Sequence, residues 1–98
     1  MTQQAPRPKA IATVQVDTAE VIVTEWRFAP GAETGHHLHG HDYVVVPMTD
    51  GMLLLETPEG EKHAPLVAGR SYFRKAGVEH NVVNACDHEV VFIETELK

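Results

Sequence analysis

His36-His37-Leu38-His39-Gly40-His41-Asp42-Tyr43-Val44-Val45-Val46 is the stretch whose reading decides the fold: four of the seven histidines in the chain lie in it. It follows the turn-rich Pro30-Gly31-Ala32-Glu33-Thr34-Gly35 and runs into β-branched and aromatic residues, so the histidines sit where a strand begins. Side chains alternate faces along a strand, which places His37, His39, His41 and Tyr43 on one face and Leu38, Asp42 and Val44 on the other. Neutral imidazole is the commonest protein ligand for zinc, iron, nickel and copper, and a row of imidazoles binds a divalent ion once a further ligand arrives. His80 is the remote candidate.

Outward from this stretch the chain reads as strands. Ile11 to Val16 alternates weakly, and Glu20 to Phe28 is a long β-type run that ends at Ala29-Pro30-Gly31. After the histidines, Pro47 cannot donate to a ladder and marks a strand end or an edge before Thr49-Asp50-Gly51, a turn whose glycine is expected at a positive φ. Met52 to Thr57 and Lys62 to Pro65 flank the hairpin connection Pro58-Glu59-Gly60-Glu61. Ser71 to Arg74 and His80 to Asn84 flank Ala76-Gly77-Val78-Glu79, a turn that delivers His80 at the start of its strand. Glu89 to Leu97 closes the chain. Short strands recur about every ten residues with no sustained helical rhythm, so the chain is expected to be all-β, a jelly roll or related barrel whose inward side chains line a small cavity. Residues 1–10, polar and interrupted by Pro6 and Pro8, read as a flexible N-terminal tail or an exchanged edge strand, and residues 11–98 as one barrel domain.

Ninety-eight residues bury roughly two-thirds of the unfolded chain's surface, enough for one core. Val44 to Val46 and Val90 to Ile93 are apolar on both alternating faces, so a second sheet or subunit should cover the outer one, and a homodimer is expected. The net charge of −6 and the scarcity of clustered Lys and Arg argue against a nucleic-acid partner. A single cysteine, Cys86, excludes an internal disulfide and fits a reducing compartment. The basic residues of Met1 to Ala10 precede no apolar stretch and no run is long enough to span a bilayer, so a cytoplasmic protein without membrane contact is expected.

Two longer patterns resemble signatures of the cupin superfamily. Gly31, five residues, His37, one residue, His39, four residues, Val44, six residues and Gly51 is similar to the first. Gly69, five residues, Lys75, one residue, Gly77, two residues, His80, three residues and Asn84 is similar to the second, seventeen residues further on. The resemblance spans about Val21 to Leu97 and implies a cupin-type jelly-roll β-barrel with metal ligands His37, His39 and His80, and His41 as a further candidate. Two positions depart from the pattern. The metal-binding glutamate of cupins is replaced by Tyr43 or Val44, and the usual proline of the second signature is Lys75. His39 to Pro47 and Tyr72-Phe73-Arg74 further resemble small bacterial cupins associated with β-alanine degradation.

The implied cofactor is a divalent transition metal: iron, nickel, manganese, copper or zinc. Three neutral imidazoles leave the ion's charge uncompensated, so the site should attract an anionic or chelating small metabolite. The leading expectation is a metal-binding cupin acting on such a molecule, with dioxygenase chemistry among those the resemblance allows. The alternative is a cupin that binds a small molecule or metal without turnover. No catalytic residue is assigned beyond Tyr43, a candidate hydrogen-bond donor to a metal-bound ligand that otherwise packs the cavity. His36 is expected to face solvent, and His63 and His88 lie near turns. Cys86 lacks the basic surroundings of a reactive thiolate.

Overall fold

The computed structural model describes residues 6–98. It contains nine strands: β1 (Ile11–Asp17), β2 (Val21–Phe28), β3 (His37–Leu38), β4 (Asp42–Pro47), β5 (Gly51–Thr57), β6 (Gly60–Leu66), β7 (Tyr72–Arg74), β8 (Glu79–Asn84) and β9 (Val90–Leu97). They form two antiparallel sheets, one ordered β1-β2-β9-β4-β7 and the other β3-β8-β5-β6, and no helix occurs among the described residues. The inner faces supply the core: Phe28, Tyr43, Val45, Leu53, Leu66, Val82, Val90 and Phe92 are all buried. Phe28 and Phe92 meet across β2 and β9 with ring centroids 5.4 Å apart. Alternation is plain in β4, where Tyr43, Val45 and Pro47 are buried and their neighbours are half-exposed.

The chain changes sheets inside the histidine stretch. His37 and Leu38 pair with β8, whereas Asp42 to Pro47 pair with β9 and β7. His39-Gly40-His41 is the corner between them, so one strand parity does not run from His37 to Tyr43, as the uninterrupted alternation had implied. The corner is nonetheless fixed: the His39 N–H donates to the Val78 carbonyl at 2.8 Å, and the Gly77 N–H donates to the His39 carbonyl at 2.8 Å. Gly77 has φ 97°, a conformation glycine adopts without a Cβ clash. Asp42 accepts from the Ala76 N–H at 2.7 Å, tying the same loop to the start of β4.

Two residues of the cupin-like signatures have structural roles. Gly51 has no positive φ, contrary to the turn reading; a Cβ there would lie 2.7 Å from Val90 Cγ2 and 3.2 Å from Cys86 Sγ, so close packing demands the glycine. Asn84, buried, donates to the carbonyls of Phe28, Ala29 and His88 and accepts from the Cys86 N–H at 2.9 Å, joining three loops at one end of the barrel.

Residues 1–5 of the expected tail lie outside the described residues. From Pro8 onward the chain is paired rather than loose: Ala10 N–H donates to the Glu33 carbonyl and Glu33 N–H to the Pro8 carbonyl. β1 is an edge strand with all seven residues exposed.

Candidate metal centre

The register of β3 against β8 sets His37 directly opposite His80, so two imidazoles from distant parts of the chain share one face of one sheet. The corner after β3 swings His39 in beside them. His37 Nε2 lies 3.0 Å from His39 Nε2, which lies 3.2 Å from His80 Nε2. Ligand bonds of 2.0–2.1 Å to one ion place donors about 2.9 Å apart at right angles and about 3.3 Å apart at the tetrahedral angle. The donor spacing thus fits a common ion, and the three residues form a group that could hold one, their ligand atoms all within 4.8 Å of one another.

The ring orientations are set from behind. His37 Nδ1 faces the Gly35 carbonyl at 2.8 Å, which makes Nδ1 the N–H donor and turns Nε2 toward His39. Thr34 Oγ1 donates to the same carbonyl at 2.9 Å, and the Gly35 N–H is held by Asn81 Oδ1 at 3.0 Å. His39 and His80 are buried. Burial first, and repulsion from His37 second, push both down to about 4, so they are neutral at pH 7 as metal binding requires.

Of the other sequence candidates, Tyr43 joins the centre and His41 does not. The Tyr43 ring stacks on His39 with centroids 4.0 Å apart and 20° between planes, and burial pushes its hydroxyl up to about 12. His41, half-exposed past the corner, is not a member of the clustered donors. His36 is exposed and contacts Glu79 at 2.6 Å. His88 is exposed against the Asp50 carbonyl. Cys86 accepts from the Met52 N–H at 2.8 Å and packs against the core.

The fold recurs in other proteins. A cupin domain from Bordetella pertussis Tohama I is 61% identical, with a TM-score of 0.95 over 97% of this chain and 99% of that one. The chain is a cupin. It is also 82% identical over 92 residues, 94% of its length and 97% of the relative's, to the protein of Pseudomonas aeruginosa named beta-alanine degradation protein BauB. The polyketide cyclase RemF of Streptomyces resistomycificus shares the fold alone, at 17% identity and a TM-score of 0.71 over 99% of this chain and 80% of that one. No protein-family model matches.

In this cupin His80, with Tyr43 beside it, borders a cavity of about 340 Å³ that runs into the barrel. Val45, Leu53, Leu55, Val82 and Phe92 make its wall apolar, while Lys62, His63 and Arg74 lie exposed at its rim. The rim role of His63 and Arg74 was not assigned from the sequence. Arg74 is held with its guanidinium 4.5 Å from the Tyr72 ring centroid and donates to the Phe73 carbonyl at 2.9 Å. Glu94 also lines the cavity and was missed entirely. It is 8% exposed, and burial, followed by the nearby Glu96, pushes its carboxyl up to about 7 against a hydrogen bond from the Trp26 indole. None of the described strands belongs to a membrane helix: no helix here is long and apolar enough to cross a bilayer.

Proposed function

We propose that this cupin holds one divalent transition metal on His37, His39 and His80 and acts through it on a small anionic, chelating metabolite. The observation that carries the reading is the convergence of three Nε2 atoms at 3.0 and 3.2 Å beside a cavity large enough for such a molecule. An ion bound there supplies Lewis acidity, and iron, nickel, manganese or copper also supplies redox capacity, which includes dioxygenase-type reactions. The chain's own residues do the rest. Gly35 and Thr34 orient His37, Tyr43 stacks on His39, and apolar side chains line the cavity wall. Lys62 and Arg74 at the rim favour an anion entering, because opposite charge at a cleft mouth raises local ligand concentration. The triad contains no carboxylate, so the ion's charge is left for the ligand to neutralise. The name of the Pseudomonas relative makes short carboxylates of β-alanine breakdown the first compounds to assay.

A ligand-binding cupin without turnover is the second reading. It is favoured by Tyr43, which stacks on the triad yet keeps its proton to about pH 12 and so offers no general base. Metal analysis of protein made without an affinity tag, with oxygen-uptake assays on short carboxylates, tests both. About one equivalent of metal, lost in His37→Ala and in His80→Ala, is the expected result. Parent-level metal in both variants would sink the site. Oxygen uptake or product formation supports catalysis, and metal with an inert bound ligand supports the second reading.

The assembly is proposed as a homodimer in a reducing cytoplasm. Its support is the exposed apolar edge of β1, where Ile11 is 62% and Val14 58% exposed, together with the free thiol of Cys86.

A further inference from the structure

The floor of the cavity holds a carboxyl group that the reading above does not use. Glu94 points inward from β9, paired in register with Val45 of β4 and Thr24 of β2. The groups that face it can be named element by element. From β2 come Thr24 and Trp26, neither charged; from β4 Tyr43; from β7 Tyr72 and Arg74; from β9 itself Glu96. Across the cavity stand Thr57, Lys62, His63 and His80. Arg74 is occupied by Tyr72 and the Phe73 carbonyl. No ion pair among the described residues includes Glu94.

A buried carboxylate is retained at a cost of several kcal/mol unless a cation or a full set of donors offsets it. The Trp26 indole is the one nearby group that favours the ionised form, where an ionised carboxylate accepts about four hydrogen bonds. Glu96 adds negative charge on the same side. Lys62 and Arg74 at the rim are the cationic lining residues, whereas His39 and His80 are neutral, so the histidine side turns positive only with an ion bound. The cavity therefore carries cations at its rim and a carboxyl without an ion-pair partner in its wall, with apolar residues among them.

We infer that this cavity is built for a small zwitterion, with Glu94 taking the ligand's ammonium group while the ligand's carboxylate lies toward the histidine triad. The inference rests on the proposed metal reading only for the carboxylate end. An ammonium donates three hydrogen bonds and carries the charge that Glu94 lacks in its own surroundings, so the ion pair forms where water is excluded and Coulomb attraction is strong. A simple fatty acid of the same length would leave Glu94 unpaired, and a simple amine would leave the positive end unmatched. Selectivity for the molecule bearing both groups follows from the two penalties together.

Calorimetric titration decides it, using glycine, β-alanine and 4-aminobutanoate, each against its amine-free acid (acetate, propionate, butyrate), on tag-free parent protein. At least one amino acid is expected to bind tenfold or more tighter than its acid, and Glu94→Gln should reduce that ratio to near one while keeping the parent's metal content. Equal affinity within every pair on the parent, absence of binding at millimolar concentration, or an undiminished ratio in Glu94→Gln would overturn the inference. The parent ratios alone decide if the variant does not fold. Failure of the metal reading shows separately, as unchanged metal in His37→Ala, and leaves the ratios to be read independently.

Discussion

Replacing Glu94 by glutamine should make the metal-free protein more stable at pH 8 and leave it unchanged at pH 4.5. Burial raises the Glu94 carboxyl from the ordinary 4.5 to about 7, so between these values the folded chain binds more protons than the unfolded one. Stability therefore falls as pH rises through that window, and above it the folded state carries the full cost of an ionised buried carboxylate. At about 1.4 kcal/mol for each tenfold of unfavourable ionisation, that cost reaches up to about 3 kcal/mol. Glutamine matches the shape of the protonated acid but does not ionise. With a shift of about 4–8 °C per kcal/mol for a domain of this size, the melting temperature at pH 8 should rise by up to about 12–24 °C. Thermal melts of chelator-treated parent and variant at both pH values measure the effect. An increase of equal size at pH 4.5 and 8, or no increase at pH 8, would show that Glu94 is not a strained, buried acid. The same result would show the carboxylate already compensated by its surroundings, which removes the unpaired group on which the zwitterion inference depends.

Other perturbations test the scaffold. Asn84→Ala leaves three carbonyls and one N–H at the end of the barrel without their partner, and a loss of about 2–4 kcal/mol is expected in denaturant titrations. Gly51→Ala should cost about 1–3 kcal/mol, because the new methyl meets the buried Val90 side chain at 2.7 Å; full stability in the same titration would refute the close-packing account. In metal-free protein, stability should fall as pH drops from 6.5 toward 4, since His39 and His80 are held down to about 4 when folded and titrate at the ordinary 6.5 when unfolded. Replacing either by glutamine should flatten that slope, as read from melting temperature against pH.

The strand pattern was legible in the sequence because it rests on short-range information, and the triad because its two separate halves resemble the cupin signatures. Turn residues at regular intervals mark the strand ends, and the spacing about His37, His39 and His80 carries the cupin-like signature. Glu94 was not legible. It lies in Glu89-Val90-Val91-Phe92-Ile93-Glu94, a run apolar at both parities, so nothing local tells which face points inward; the register Val45↔Glu94 does. His41 was over-read for the converse reason, since alternation holds within a strand and the chain turns a corner at Gly40. The attachment of the N-terminal segment was also hidden. Arg7 pairs with Glu33 at 3.1 Å and Glu56 at 2.9 Å, partners distant in sequence, and a polar segment announces no such bonds.

These long-range polar contacts bear on the triad. Asn81 donates to both Glu33 and Glu56, at 2.9 and 2.8 Å, while its carbonyl oxygen holds the Gly35 N–H. Asn81 and Arg7 together keep the two carboxyls below their ordinary range. Gly35 in turn presents its carbonyl to His37 Nδ1. A connected set of bonds thus runs from the N-terminal segment through the β5 and β8 strands to the back of one imidazole. His39 is pinned independently by its two backbone bonds to the Gly77-Val78 turn, and His80 by its register opposite His37. Each ring is oriented by a different part of the fold, so the convergence of the three Nε2 atoms comes from backbone hydrogen bonding and sheet register. With an ion bound as proposed, a centre preorganised in this way would select it by fixed spacing and open positions, and that selectivity should respond to Thr34, Gly35 and Asn81 as well as to the histidines themselves.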